Sequence, residues 1–154
     1  MSTPNYTRTI TVRNTSNAAY RALTSGIESW WTKPDTPLTR VGDRAKFTFP
    51  PGKSFWTFEA TLLKPVERVE MRCVEALHLH EGQPKEIEQE WLGTTVIWDI
   101  IPNGDETDIR VEHIGLVPTL LCYEICEAGW DMFFVDSLKA YLDTGTGHPH
   151  QSRT

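Results

Sequence analysis

Two polar side chains occupy positions where an acid or a base could act on a buried substrate. His113 alternates with Val111 on a predicted strand, and Glu75 alternates with Cys73 on another. Alternate side chains of a strand face the same way, so both are predicted to point inward. A buried polar side chain needs a hydrogen-bond partner, and one interpretation is a satisfied core residue. The other is a side chain that orients a ligand or transfers a proton, which makes His113 and Glu75 the candidate catalytic residues.

The possible metal ligands and thiol nucleophiles form weaker patterns. His78 and His80 fall on one strand face, but two imidazoles without a third ligand do not define a metal site. Cys122 and Cys126 lie one helical turn apart within an apolar stripe, which favours core packing over a redox or metal pair. We therefore predict no metal and no cofactor.

Two further motifs are interpreted as structural. Glu86, Glu88 and Glu90 alternate along a predicted strand, and no apolar residue shares their face. A solvated surface explains them better than an acid–base pair. The segment 52–54, Gly-Lys-Ser, resembles the end of a phosphate-binding loop, but it lies between two strands and lacks the first glycine of that motif.

The chain contains six tryptophans, a large number for 154 residues. Trp30, Trp31, Trp98 and Trp130 are difficult to fit together in a tight seam between a helix and a sheet. This surplus favours a wide apolar interior that holds a small molecule, although core packing of each ring is the alternative. The residues predicted to line the cavity are Trp30, Phe47, Met71, Cys73, Trp98, His113, Cys126, Trp130 and Phe133.

Hydrophobic periodicity predicts the elements that position these residues. Strand-like segments are predicted at 9–13, 45–49, 55–63, 69–77, 90–101 and 109–113. Asn103-Gly104 predicts a type I′ hairpin turn. Ser16 or Asn17 is the predicted cap of a short helix that ends at Gly26 and is followed by a helical turn over 27–31.

The C-terminal third predicts one long helix. Apolar residues recur at steps of three and four from Cys122 to Leu142, which is one face of a 3.6-residue period. Thr119 is the predicted cap, and Gly145 is the predicted stop.

Composition and charge exclude several classes of protein. With 39% hydrophobic and 23% charged residues, the chain is an ordinary globular domain. Its net charge of −6, with no basic run, argues against binding to nucleic acid or to an anionic membrane. We expect no signal peptide and no membrane span, and the odd count of three cysteines without a CxxC motif predicts reduced thiols in a cytoplasmic protein.

Short motifs follow this order of elements at characteristic positions. They are Ala22-Leu23-Thr24, Trp30-Trp31, Val41-Gly42-Asp43, Pro65, Thr107 to His113 followed by Gly115-Leu116, and Gly129-Trp130. Together they resemble the START and Bet v 1-like (SRPBCC) superfamily, and more closely its branch named after the activator of Hsp90 ATPase. The resemblance implies an α+β helix-grip fold, in which a curved antiparallel sheet wraps around a long C-terminal helix, with two short helices after the first strand. We predict a single START-like domain over residues 1–145 and a loose tail over 146–154.

The resemblance also implies an interior cavity, since superfamily members bind or cyclise lipids, hormones or polyketides. The first functional hypothesis is a non-enzymatic module that binds a small hydrophobic or aromatic molecule between sheet and helix. The second is a cyclase- or dehydratase-like enzyme for a polyketide-like substrate, with His113 or Glu75 as acid or base. The third is an Hsp90 co-chaperone-like interaction domain, which ranks lowest because eukaryotic activators carry an additional domain. The expected partner is a small apolar molecule, with an oligomer left open.

Overall fold

The computed structural model describes residues 5–48, 54–78 and 85–149, and within these ranges six antiparallel strands form one curved sheet. Their spatial order is β1-β6-β5-β4-β3-β2. The strands are β1 (Tyr6–Val12), β2 (Arg44–Thr48), β3 (Phe55–Lys64), β4 (Arg68–Leu77), β5 (Thr95–Asn103) and β6 (Glu106–Ile114). Because β1 pairs with β6, the first and last strands lie side by side and the β2 edge is left at the far side of the sheet.

Two short helical segments follow β1, and one long helix ends the domain. The first is α1 (Ser16–Ala22), and the second is a 3₁₀ turn at Ile27–Ser29. The C-terminal helix, residues 123–144, consists of α2 (Tyr123–Trp130), a π-helical stretch (Asp131–Leu138) and α3 (Lys139–Thr144). The predicted helix-grip architecture is thereby confirmed. Among the described residues, no helix is both long and apolar enough to cross a bilayer.

The helix ends show where local signals succeed and fail. Gly145 adopts φ 90° and donates its N–H to the Tyr141 carbonyl oxygen at 2.8 Å, which confirms the predicted stop. At the other end, the helix begins at Tyr123, and the predicted Thr119 cap is wrong. The α1 cap is Thr15, whose side chain accepts from the Ala18 N–H, one residue before the predicted position.

The glutamate segment was predicted as a strand, and this prediction is wrong. Lys85–Gln89 is a 3₁₀ helix, followed by a turn that leads into β5. Alternation of charged residues cannot distinguish a surface strand from a short helix when the apolar residues are few. Ile87 and Trp91 are the buried residues of this segment, and both join the core.

The β5–β6 hairpin turns one residue later than predicted. Asn103 pairs with Glu106, so the loop consists of Gly104 and Asp105. Gly104 has φ 62°, and Asp105 is not among the described residues with positive φ. A two-residue loop with glycine in first position is type II′, so the predicted type I′ turn is wrong.

A β-bulge in β4 overturns the predicted orientation of Glu75. Thr57 pairs with Glu75 and Phe58 pairs with Cys73, so Val74 is an extra residue in the ladder. The bulge reverses the alternation of the strand from that point. Glu75 is exposed on the outer face, and His78 is buried on the inner one.

All six tryptophans pack into one continuous cluster, so the expectation that they are too bulky for the seam is wrong. Each is at most 8% exposed. The chain of ring contacts, with centroid separations between 4.8 and 6.2 Å, runs Trp98, Trp30, Trp31, Trp130, Trp91 and Trp56. Edge and tilted contacts let large rings interlock, which the count of aromatic residues alone does not reveal.

The residues after the helix are better packed than a loose tail. The His148 backbone N–H donates to Ser137 Oγ at 2.7 Å. A Cβ added to Gly147 would stand 2.5 Å from the Ser29 carbonyl oxygen, so this segment contacts the domain closely. Packing therefore continues beyond the predicted boundary at 145, whereas residues 150–154 lie outside the described ranges, as do Phe49 and His80.

Candidate functional site

A pocket of about 240 Å³ opens at one end of the seam, beneath the first turns of the C-terminal helix. The start of β3 and the segment after β4 form the wall of the pocket on the sheet side, and the C-terminal helix forms the opposite wall. Its lining residues are Trp31, Ser54, Trp56, His78, Trp91, Ile125, Cys126, Gly129, Trp130 and Phe133. Most of these residues carry an aromatic ring, so the pocket is suited to a flat apolar molecule.

Tryptophan rings define the shape of the pocket. Trp91 and Trp130 stack at 5.8 Å with planes only 9° apart, and Trp56 leans on Trp91 at 4.8 Å. Trp31 tilts against Trp130 at 5.1 Å. Gly129 adds no side chain at the helix wall, and a Cβ built there would meet no atom within 4 Å. Gly129 therefore leaves open space at this part of the pocket wall.

His78, Cys122 and Cys126 meet at the buried border of this pocket. One side-chain nitrogen of His78 and the two sulfur atoms lie within 4.8 Å of one another, and all three residues are buried. His78 and Cys126 also line the pocket, and the His78 ring packs 5.2 Å from the Trp56 ring. The bulge at Val74 brings the imidazole to this face, and the helix period places both thiols on it.

The two thiols share a hydrogen bond that separates their acidities. The hydrogen bond from Cys126 lowers the pKa of Cys122 to about 6, with a further contribution from His78, against the opposing effect of burial. The same hydrogen bond, together with burial, raises the pKa of Cys126.

Glu90 holds the start of the C-terminal helix in place. Its two carboxylate oxygens accept the backbone N–H groups of Leu121 and Cys122, each at 2.9 Å. This interaction replaces the local cap that the helix lacks, since unsatisfied N–H groups at a helix start favour a carboxylate. Glu90, which was predicted from the sequence to lie on a solvated surface, therefore fixes the position of Cys122.

His113 is fully buried next to the pocket rather than in its lining. Its Nδ1 accepts from the Trp130 indole N–H at 3.0 Å, and its Nε2 lies 2.8 Å from Thr94 Oγ1. The Thr94 hydroxyl donates its proton to the Trp91 carbonyl oxygen at 2.6 Å, so Nε2 is the donor to Thr94. Burial lowers the pKa of His113 to about 3, and the ring is a neutral imidazole with both nitrogens in use.

The predicted lining residues divide into two groups. Cys126, Trp130 and Phe133 border the pocket. The others lie elsewhere in the core, where aromatic contacts fill the seam, and they are Trp30, Phe47, Met71, Cys73, Trp98 and His113. Glu75, the second catalytic candidate, is exposed outside it.

Sequence reasoning missed the residues that come from irregular segments. His78 follows the bulge in β4, and Trp91 lies in the turn after the 3₁₀ helix. Strand alternation therefore could not predict which way either side chain points. Trp56 and Trp31 were detectable as members of the tryptophan surplus. The sequence indicates Gly129 only as part of the Gly129-Trp130 motif, because open space beside a helix has no sequence signal other than the glycine itself.

Comparison with known proteins agrees with the fold. The family model described as Activator of Hsp90 ATPase homolog 1-like protein matches residues 14–143. A search of curated proteins finds no match. Among solved structures, the Aha1 dimer of Colwellia psychrerythraea is 25% identical with a TM-score of 0.72, over 93% of this chain and 98% of that one.

Two other similar structures share the fold at lower identity. DynU16, a protein of the dynemicin biosynthetic locus, is 20% identical with a TM-score of 0.72, and the match covers 96% of this chain but half of that one. CalU16 of Micromonospora echinospora is 19% identical with a TM-score of 0.58, over 88% of this chain and 71% of that one.

Proposed function

Because the chain belongs to the family of activator of Hsp90 ATPase homolog 1-like proteins, we propose that its tryptophan-lined pocket binds a small hydrophobic molecule with one or two aromatic rings. The observation that carries this proposal is the pocket itself: about 240 Å³ between four tryptophan rings and Phe133. An apolar cavity of about 150 Å³ is large enough to hold benzene. The pocket therefore has room for a ring system somewhat larger than benzene.

The expected affinity is modest. Burying about 100–150 Å² of ring surface at about 25 cal/mol per Å² contributes about 3 kcal/mol. Contacts with the tryptophan faces add to this free energy, and the lost freedom of the ligand opposes it. Dissociation constants from about 1 µM to 1 mM are consistent with this balance.

The geometry gives acid–base catalysis less support than binding. His113 uses both nitrogens within the protein, and Glu75 is outside the pocket. We therefore place binding before the cyclase- or dehydratase-like hypothesis. The proposal includes a cytoplasmic location, where the three cysteines would stay reduced.

The first test is calorimetric titration with 2-naphthol, preceded by a cooperative thermal melt to exclude a molten state. Native mass spectrometry of freshly purified protein complements it by searching for a co-purified molecule. We expect one 2-naphthol per chain with micromolar to millimolar affinity. Absence of binding to the folded protein would contradict the proposal.

A matched pair of helix variants locates the binding site. Gly129→Leu adds a side chain into open space of the pocket, and leucine also has a higher helix propensity than glycine. Ala128→Leu adds a leucine at the preceding position of the same helix, which is exposed. We expect Gly129→Leu to abolish binding without loss of stability, and Ala128→Leu to bind like the parent. Equal binding by both variants would place the probe elsewhere.

A further inference from the structure

The cluster of His78, Cys122 and Cys126 has the composition of a metal site. Each residue offers one donor atom, the three atoms lie within 4.8 Å of one another, and all three side chains are buried. Zn²⁺ binds cysteine sulfur and histidine nitrogen, and sets of three protein ligands are typical of sites that keep one position for a further ligand. The sequence pattern pairs Cys122 with Cys126 and His78 with His80, and the fold brings His78 beside the two cysteines.

We propose that His78, Cys122 and Cys126 bind one Zn²⁺ ion whose fourth coordination position faces the tryptophan-lined pocket. His78 and Cys126 line the pocket, whereas Cys122 is buried and is not among the lining residues. An ion held by all three therefore borders the pocket volume. A pocket molecule with a thiol, an imidazole-type nitrogen or a carboxylate could then complete the coordination shell.

The distances fit zinc after small side-chain movements. With Zn–S of about 2.3 Å and Zn–N of about 2.0–2.1 Å, tetrahedral ligand atoms stand about 3.4–3.8 Å apart. The outer limit of 4.8 Å in the cluster exceeds these separations by about 1.0–1.4 Å at most. Rotation of the thiols and the imidazole can close that difference because the three residues belong to different turns or elements.

Charge balance also favours a divalent ion. Both cysteines would bind as thiolates, and their two negative charges would neutralise the 2+ charge, so the buried site would carry no net charge. The Glu90 carboxylate holds the backbone N–H of Cys122 and adds negative potential beside it. This is the role of an outer-shell residue, which orients a ligand and favours the cation.

The third cysteine supplies the matched control. Cys73 is buried in the sheet, and its thiol donates to the Glu75 carbonyl oxygen at 3.2 Å, outside the cluster. Cys73→Ser should therefore perturb the core without removing a metal ligand. Cys122→Ser, Cys126→Ser and His78→Gln should each weaken Zn²⁺ binding by at least ~100-fold, the upper range found for outer-shell partners.

The experiment is a titration of the full, reduced, metal-stripped chain with Zn²⁺ and, for its spectrum, with Co²⁺. We expect one ion per chain, the absorption of tetrahedral cobalt with thiolate-to-cobalt charge transfer, and normal binding by Cys73→Ser. In the parent protein, where the buried thiols react only when the structure opens, Zn²⁺ should slow the alkylation of Cys122 and Cys126 more than that of Cys73, a readout that needs no variant to fold. Failure of the folded chain to bind Zn²⁺, or retention of binding in the Cys122→Ser/Cys126→Ser double variant, would overturn the proposal.

The metal site and the proposed aromatic ligand can fail separately. Gly129→Leu fills the pocket but leaves all three ligands in place, so we expect it to keep Zn²⁺ while losing 2-naphthol. If the chain binds 2-naphthol but not Zn²⁺, the metal proposal alone is wrong. If it binds Zn²⁺ but not 2-naphthol, the proposed function alone is wrong.

Discussion

The centre and the end of the helix–sheet seam differ in how they use the same residue type. At the centre, Trp98 packs edge-on against Trp30 at 5.8 Å and Trp130 at 5.6 Å, and it makes a tilted contact with Phe134 at 5.4 Å. At the end, Trp56 and Trp91 border open space of about 240 Å³. The rings at the centre fill the core, whereas the rings at the end form walls of the pocket.

The difference shows that aromatic content does not by itself indicate a cavity. Interlocked rings remove empty volume, whereas a bulge, a turn and a helical glycine leave it at the end of the seam. The side chains that could bind a metal or a ligand lie at the same end of the seam as the empty volume. They are His78, Cys122 and Cys126. We therefore expect substitutions at the centre to affect stability and substitutions at the end to affect binding.

Truncation of a central ring should have the largest effect. Trp98→Ala removes a buried side chain with ring contacts on several sides and should lower the free energy of unfolding by about 3–5 kcal/mol. Trp56→Ala removes a ring that already borders the pocket, so its cost should be smaller. Urea denaturation of the two variants measures the difference, and equal losses would argue against the distinction between centre and end.

The buried imidazole predicts a pH dependence of intermediate size. Because the pKa of His113 falls from 6.5 to about 3 on folding, the unfolded state binds an extra proton between these values. Its stabilisation is complete above about pH 6.5 and is lost as the pH falls toward 3, by at most about 1.4 kcal/mol per pH unit.

Unfolding curves of His113→Gln should show a shallower dependence on pH over this window. His148→Gln, at an exposed position after the helix, should keep the dependence of the parent. The assignment to His113 would be wrong if both variants followed the parent curve.

Truncation of the C-terminus should have the smallest effect. Deletion of 146–154 removes the hydrogen bond from the His148 N–H to Ser137 Oγ and should cost about 0.5–1.5 kcal/mol. Deletion of 150–154 alone should leave the melting temperature unchanged. If both truncated chains had the same melting temperature, the prediction of a loose tail over 146–154 would stand.

Regular elements could be predicted from the sequence because their periodicity is strong. The helical stripe from Cys122 to Leu142 and the stop at Gly145 gave the C-terminal helix, and alternation gave most strands. The fold followed from a family resemblance that rests on the order of these elements and on short motifs. These signals are local, and each depends on a repeat that several residues share.

The candidate site could be predicted only in part, because single irregular residues determine it. One extra residue at Val74 turns Glu75 outward and His78 inward, and no periodic pattern contains that information. The capping of the helix by Glu90 is a long-range contact, and composition cannot reveal it. Cys126 and Trp130 belong to the regular helix, and both border the pocket.

The most direct test of ligand binding at the end of the seam is the NMR spectrum of the indole N–H groups during titration with 2-naphthol. The six tryptophan signals can be assigned by single Trp→Phe substitutions. We expect the largest shifts at Trp31, Trp56, Trp91 and Trp130, which line the pocket, and the smallest at Trp30 and Trp98. Largest shifts at Trp30 and Trp98, or no shift of any indole signal, would contradict binding at this end.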